Sequence, residues 1–152
     1  MSQESRLSAG LTGVAGEYLV AGELSRRGYV ASITLRNTRG IDILVSNTDA
    51  TKSVGIQVKT NQGRDKKWIL TAKAEKDTAA NLFYVFVRLN HLDAPEYHVV
   101  PRNVVAKYVF DDHKQWLSSL GRKGQARKDN AIRNFIDKDD KYLNRWDLLG
   151  LD

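Results

Sequence analysis

The chain contains no cysteine, which excludes a disulfide framework and thiolate metal sites. No apolar run approaches the length of a membrane span, and no charged-then-apolar leader opens the sequence, so a soluble cytoplasmic protein without a membrane partner is expected. Neither a P-loop nor a Gly-x-Gly-x-x-Gly pattern occurs, so nucleotide-driven chemistry has no support, and the nucleophile elbow of serine hydrolases is missing as well. Histidine is scarce. His91, His98 and His113 lie far apart with no i,i+4 pair, which argues against a zinc site. There is no internal repeat, low-complexity tract or interdomain linker.

What is present is an ordinary globular composition: 152 residues, 41% hydrophobic and 28% charged, enough for one domain with its own core. Twenty-four basic against eighteen acidic residues give a net charge of +6, a modest pointer to a polyanionic partner. The distribution says more than the total. Lys59, Arg64, Lys66 and Lys67 cluster in one stretch, and Arg122, Lys123, Arg127 and Lys128 form a second cluster with no acid between them.

Leu7, Leu11, Val14, Tyr18 and Gly22 recur at helical spacing and predict a helix from Ser8 to Arg27, ended by Gly28. Strands are predicted at Tyr29–Leu35, Ile41–Val45, Val54–Thr60, Trp68–Ala72, Leu82–Leu89 and Tyr97–Val100, the second and third joined by a hairpin-like turn. A short helical turn is expected around Glu75–Asn81 and a helix at Asn103–Leu120. A mobile basic loop follows at Gly121–Asn130, then a last helical stretch from Ala131. Trp146, Leu148 and Leu149 should dock the C-terminus on the body. A helix, then a mixed sheet, then helices make a single α/β or α+β domain.

Three polar residues interrupt strands that otherwise read as core. Asp42 stands in Ile-Asp-Ile-Leu-Val, and Gln57 and Lys59 stand in Gly-Ile-Gln-Val-Lys-Thr. Strand side chains alternate, so Gln57 and Lys59 share one face while Ile56 and Val58 share the other. If the Asp42 strand pairs alongside, its carboxylate reaches the same patch. An isolated buried charge is costly, so these groups need one another or a metal. A plain Asp42–Lys59 salt bridge at a sheet end, with Gln57 bonded to loop backbone, is one way to meet that need.

Glu17 adds a second acid. Between Val14 and Leu24 the helix holds only two charged residues, so it is expected to be buried around most of its circumference. A glutamate there meets a cation or sits at the helix edge beside an arginine. Gly13, Gly16 and Gly22 would let the helix lie close to the sheet, at about 1 kcal/mol of helix propensity each.

Gly16-Glu17 on an N-terminal helix, Gly40-Ile41-Asp42, and Gln57-Val58-Lys59 resemble the PD-(D/E)xK nuclease superfamily, the restriction-endonuclease-like fold. The order is the family's: a helix glutamate, an aspartate opening the second core strand, and an acid-x-lysine on the next. The resemblance spans about residues 8–101, and about 102–152 is expected to be a helical extension of the same domain. Gln57 stands where the family most often has Asp or Glu.

The resemblance implies an α/β fold, a mixed sheet flanked by helices, that hydrolyses phosphodiester bonds with a divalent ion, the substrate being DNA. Asp42, the Gln57 side-chain oxygen and the Val58 carbonyl would hold the ion. Glu17 would orient a water or a second ion, and Lys59 would lie beside the attacking water. Oxygen ligands favour Mg²⁺ or Mn²⁺ over Zn²⁺. The neutral Gln57 weakens ion binding, leaving both a Mn²⁺ requirement and lost activity open.

Arg36 and Arg39 ahead of Asp42, with Arg64, Lys66 and Lys67 after Lys59, are expected to form a rim that binds phosphates without sequence preference. A solvated charged surface is the other way to read them. Trp68, Trp116 and Trp146 stand in apolar periodic contexts and are assigned to the core rather than to base stacking. Cutting both strands asks for two sites, hence a homodimer. Two further readings remain: a catalytically degraded protein of this fold that holds nucleic acid or a partner protein, and a protein-binding module of inhibitor or immunity type.

Overall fold

The computed structural model of the chain describes residues 6–35, 40–76 and 79–152. Helix α1 (Ala9–Arg26) begins where the Ser8 hydroxyl accepts the Leu11 amide at 3.1 Å, a cap of about 1 kcal/mol. It ends before Gly28, whose φ of 92° suits a residue without a Cβ.

The expected apolar stripe is not the face this helix buries. Thr12, Gly16, Val20 and Leu24 point inward, whereas Leu11 and Tyr18 are 54% and 66% exposed. Gly16 explains the rotation. A Cβ there would come within 1.8 Å of the Thr60 hydroxyl, so the helix seats on the sheet at the one of its four glycines where a side chain would clash. The expectation of burial around most of the circumference is corrected with it, because only that one face is covered.

The strands are β1 (Val30–Ile33), β2 (Ile43–Ser46), β3 (Ser53–Asn61), β4 (Lys67–Thr71), β5 (Leu82–Arg88) and β6 (Glu96–Pro101). Helix α2 (Arg102–Ser118) and β7 (Ile132–Ile136) follow. Five strands form the main sheet in the order β1-β2-β3-β5-β6, with β3 and β5 parallel and every other neighbouring pair antiparallel. The crossover between the parallel pair runs through β4 and a 3-10 turn, Ala72–Lys76.

Strand β7 corrects the expected helix after Ala131. Ile132-Arg-Asn-Phe-Ile pairs antiparallel with β4, placing Phe135 opposite Trp68. Its alternation is that of a strand: Arg133 and Phe135 are buried and Ile132 is exposed. Arg133 is held inside by an ion pair with Glu75.

The two faces of the main sheet are covered differently. On one, Ile43, Val45, Ile56, Val85, Val87 and Val99 pack beneath Val20 and Leu24 of α1 and beneath Trp146, Leu149 and Leu151 of the C-terminal segment. That segment docks as its aromatic and leucine content predicts. On the other face, Tyr84, Phe86 and Val100 meet Trp68, Leu70 and Phe135 of the small sheet and Val105 and Val109 of α2. Backbone bonds from Val99 to the Tyr142 carbonyl (2.9 Å) and from Asn144 to the Tyr97 carbonyl (2.8 Å) cover the outer edge of β6. Among the described residues no helix is long and apolar enough to cross a membrane.

Candidate active site

Asp42 stands at the entry to β2, not within it. Ile43 lies opposite Ile56, yet the Asp42 amide donates to the Ile56 carbonyl at 2.8 Å. This one-residue slip, of the kind a β-bulge makes, re-aims the side chain away from the register that would set it opposite Gln57. The carboxylate accepts the Val58 backbone N–H at 2.7 Å and is thereby fastened to β3. Thr34 fixes the backbone behind it, its N–H donating to the Asp42 carbonyl at 2.9 Å and its hydroxyl to the Ile41 carbonyl at 2.6 Å.

Glu17, half-buried on α1, lines a pocket of about 280 Å³ together with Asp42. Gly10 and Gly13 line it too, and a Cβ on either would meet nothing within 4 Å, so the pocket is open along the helix. In a strand the carbonyl of a residue faces the same neighbour as its N–H, so the bond from Val58 to Asp42 also aims the Val58 carbonyl to this side. Two carboxylates and a backbone carbonyl are an all-oxygen donor set that fits a hard divalent cation.

Gln57 and Lys59 line a different pocket, of about 520 Å³, on the other face of β3. Tyr84, Lys73 and Arg102 share it, giving three cations and no carboxylate among the described residues that line it. Arg102 is only 2% exposed. Its guanidinium donates to the Gly40 carbonyl at 2.8 Å and to the Gln57 side-chain oxygen, and it lies 4.9 Å over the Tyr84 ring. The Gln57 oxygen is therefore engaged by a cation and stands apart from the Asp42–Glu17 oxygens. Among the described residues no ion pair joins Asp42 to Lys59; the two line separate pockets.

Sequence reasoning missed Arg102 and Lys73. Arg102 left one signal: it opens α2, where the positive end of a helix disfavours a cation unless another partner holds it. Lys73 left none, because it stands in a short 3-10 turn with no periodic pattern to mark which way it faces.

The expected basic rim is placed as follows. Arg64 pairs with Asp93 at 3.1 Å, Lys66 pairs with Asp140 at 2.5 Å, and Lys67 is exposed. None of the three lines the Asp42–Glu17 pocket or the Gln57–Lys59 pocket; Lys67 lines a third, beside Thr60 and Asn61 of β3. Arg36 and Arg39 lie outside the described residues. Trp68 and Trp146 are buried, and Trp116 is half-buried with the Arg127 guanidinium 4.8 Å over its ring.

No family model and no curated protein sequence matches the chain. Among solved structures, a bacterial homing endonuclease superposes with a TM-score of 0.55 at 13% identity, over 95% of this chain and 94% of its own. A Holliday junction resolvase from the archaeal hyperthermophile Archaeoglobus fulgidus aligns over 82% of this chain and 84% of its own, at 15% identity and a TM-score of 0.47. With the mixed five-stranded sheet, its parallel central pair and α1 seated on β3, the chain has a restriction-endonuclease-like fold.

Proposed function

We propose that the protein is a metal-dependent nuclease that hydrolyses phosphodiester bonds in DNA. The observation that carries this reading is the division of charge across β3: Glu17 and Asp42 line one pocket, and Lys59, Lys73 and Arg102 line the other. Phosphodiester hydrolysis needs both kinds of group, oxygens to hold a cation and cations to hold the charge on phosphate.

Asp42, Glu17 and the Val58 carbonyl would hold Mg²⁺ or Mn²⁺. When bound, such an ion acts as a Lewis acid toward a phosphate oxygen and makes nearby water more acidic. Asp42 is positioned for its part by the Val58 N–H, which orients the carboxylate. Lys59 leaves β3 on the face opposite the carboxylate pocket, so its ammonium would hold charge on the substrate's phosphates from the cationic pocket. Arg102, fixed by Gly40 and Gln57, adds a second phosphate-binding cation that does not have to be ordered on binding. The net charge of +6 favours a polyanion, and the homing endonuclease of the same fold adds fold-level support. A homodimer would supply the second site that double-strand cleavage asks for.

One observation favours a second reading. The Gln57 oxygen brings no charge and is already taken by Arg102, which suits a protein of this fold that holds nucleic acid, or a partner protein, without cutting it.

Supercoiled plasmid incubated with the protein and Mg²⁺ or Mn²⁺, beside Asp42→Ala and Lys59→Ala variants, separates the two. We expect wild-type cleavage that both substitutions abolish. Cleavage that survives both refutes the assigned site, and salt-dependent DNA binding without cleavage in either ion favours the second reading.

A further inference from the structure

We propose that Glu96, His98 and Asp140 form a second cation site, distinct from the Asp42–Glu17 pocket, that takes one divalent transition-metal ion of the zinc class. Among the described residues this is the one group of three metal-capable side chains, with ligand atoms all within 4.8 Å of one another. Glu96 and His98 are two apart on β6 and so project to the same face. Asp140 comes from the turn after β7, where its φ of 56° is a conformation that aspartate tolerates better than most residues.

The cluster does not stand on its acids alone. His98 is 0% exposed, and its Nε2 has no hydrogen-bond partner. Nε2 lies 3.8 Å from a Glu96 oxygen, so it is aimed into the cluster. The other ring nitrogen, Nδ1, is 2.6 Å from Asp137, a carboxylate that is itself only 5% exposed and accepts the amides of Lys141 and Tyr142. A carboxylate bonded to Nδ1 fixes the tautomer that leaves a lone pair on Nε2, the arrangement that orients histidine toward a metal. A buried imidazole nitrogen left unpaired is otherwise a cost without a return.

One imidazole nitrogen and two carboxylates suit a borderline ion such as Zn²⁺, with a position left for water. The charge that now faces the acids belongs to Lys66, 2.5 Å from Asp140 and 3.9 Å from Glu96, and to Arg88, 2.5 Å from Glu96. A metal displaces the Lys66 ammonium, whose flexible stem lets it swing into solvent, and takes Glu96 Oε2 from the Arg88 Nε that donates to it at 3.2 Å, while Arg88 keeps its 2.5 Å contact with Oε1. Lys66 therefore competes with the ion.

The site lies on the same sheet face as Lys59, but Phe86 stands between them in the cross-strand row Lys59–Phe86–His98. Two strand spacings separate the Lys59 and His98 backbones by roughly 10 Å. A metal here would act structurally. It would tie Asp140 to β6 beside the backbone bonds of residues 142–144, and so hold the segment that carries Trp146, Leu149 and Leu151 into the core.

The test uses the full chain carrying Asp42→Ala, so that the first pocket does not contribute, titrated with Co²⁺ as a visible-absorbing stand-in and with Zn²⁺ followed by melting temperature. We expect one Co²⁺ per chain with a tetrahedral-type absorption band, and a melting temperature that rises with Zn²⁺. His98→Gln should weaken binding at least tenfold and remove the Zn²⁺ shift. Lys66→Met, which removes the competing ammonium and no ligand, should tighten binding several-fold; it guards against the chance that His98→Gln simply misfolds. No Co²⁺ uptake by the Asp42→Ala chain, affinity unchanged by His98→Gln, or affinity weakened by Lys66→Met overturns the site.

Discussion

The pockets on either side of β3 are built from opposite charges and by opposite routes. The carboxylate pocket depends on backbone: a one-residue slip before β2 turns Asp42, and a glycine lets α1 bring Glu17 down beside it. The cationic pocket depends on side chains reaching in from elements far apart in sequence, Lys59 from β3, Lys73 from a 3-10 turn and Arg102 from α2. A chain selected for stability alone would do well to pair Asp42 with Lys59 across the strand. Keeping acid and base on separate faces instead leaves one side suited to a cation and the other to an anion.

Each half can be broken separately, and the largest effect is expected on the cationic side. Arg102→Leu removes the donors to Gly40 and Gln57 and leaves the half-buried Gln57 amide against an apolar side chain. We expect a loss of about 3 kcal/mol in urea denaturation, together with weaker DNA binding. Arg102→Lys should recover little, because one ammonium cannot reproduce the guanidinium fork.

On the carboxylate side, Gly16→Ala forces a methyl against Thr60 and should cost about 2 kcal/mol, read as a lower melting temperature and reduced cleavage. Gly22→Ala is its control. A Cβ there meets nothing within 4 Å, so the variant should gain about 0.5–1 kcal/mol of helix stability without touching the pocket.

The smallest effect is at the far end of α1. The bond from Arg26, foremost, holds the Glu23 carboxyl below its ordinary range against the opposing effect of burial, with Arg27 adding to it. A depressed carboxyl pKa contributes stability at neutral pH that is lost as pH falls through its folded value. Glu23→Gln should therefore cost about 0.5 kcal/mol near pH 7, and the two stability curves should converge in acid.

The positions of the first six strands and of the polar residues set among them were legible because they are local. Alternation marks β3 and β5, Gly28 marks the end of α1, and Asp42 and Gln57 stand out as polar residues in apolar runs. What failed was set by tertiary contact. The buried face of α1 follows Gly16 against Thr60 rather than the leucine stripe. Residues 132–136 become a strand because β4 offers them an edge. The slip that turns Asp42 and the reach of Arg102 to the Gln57 oxygen are likewise tertiary, and no local pattern announces either. Glu96 and His98 form no helical i,i+4 pair; a carboxylate and an imidazole two residues apart meet only once the segment is a strand.

The most direct measurement separates binding from cutting: DNA affinity and plasmid cleavage compared for wild type, Asp42→Asn and Lys59→Met in Mg²⁺ and Mn²⁺. We expect Asp42→Asn to keep DNA affinity within a few-fold while cleavage falls by about 100-fold or more. Lys59→Met should lose both DNA affinity and cleavage, as removing a phosphate contact would. A wild type that cuts and an Asp42→Asn variant that cuts equally well would contradict the assignment of the ion to the carboxylate pocket.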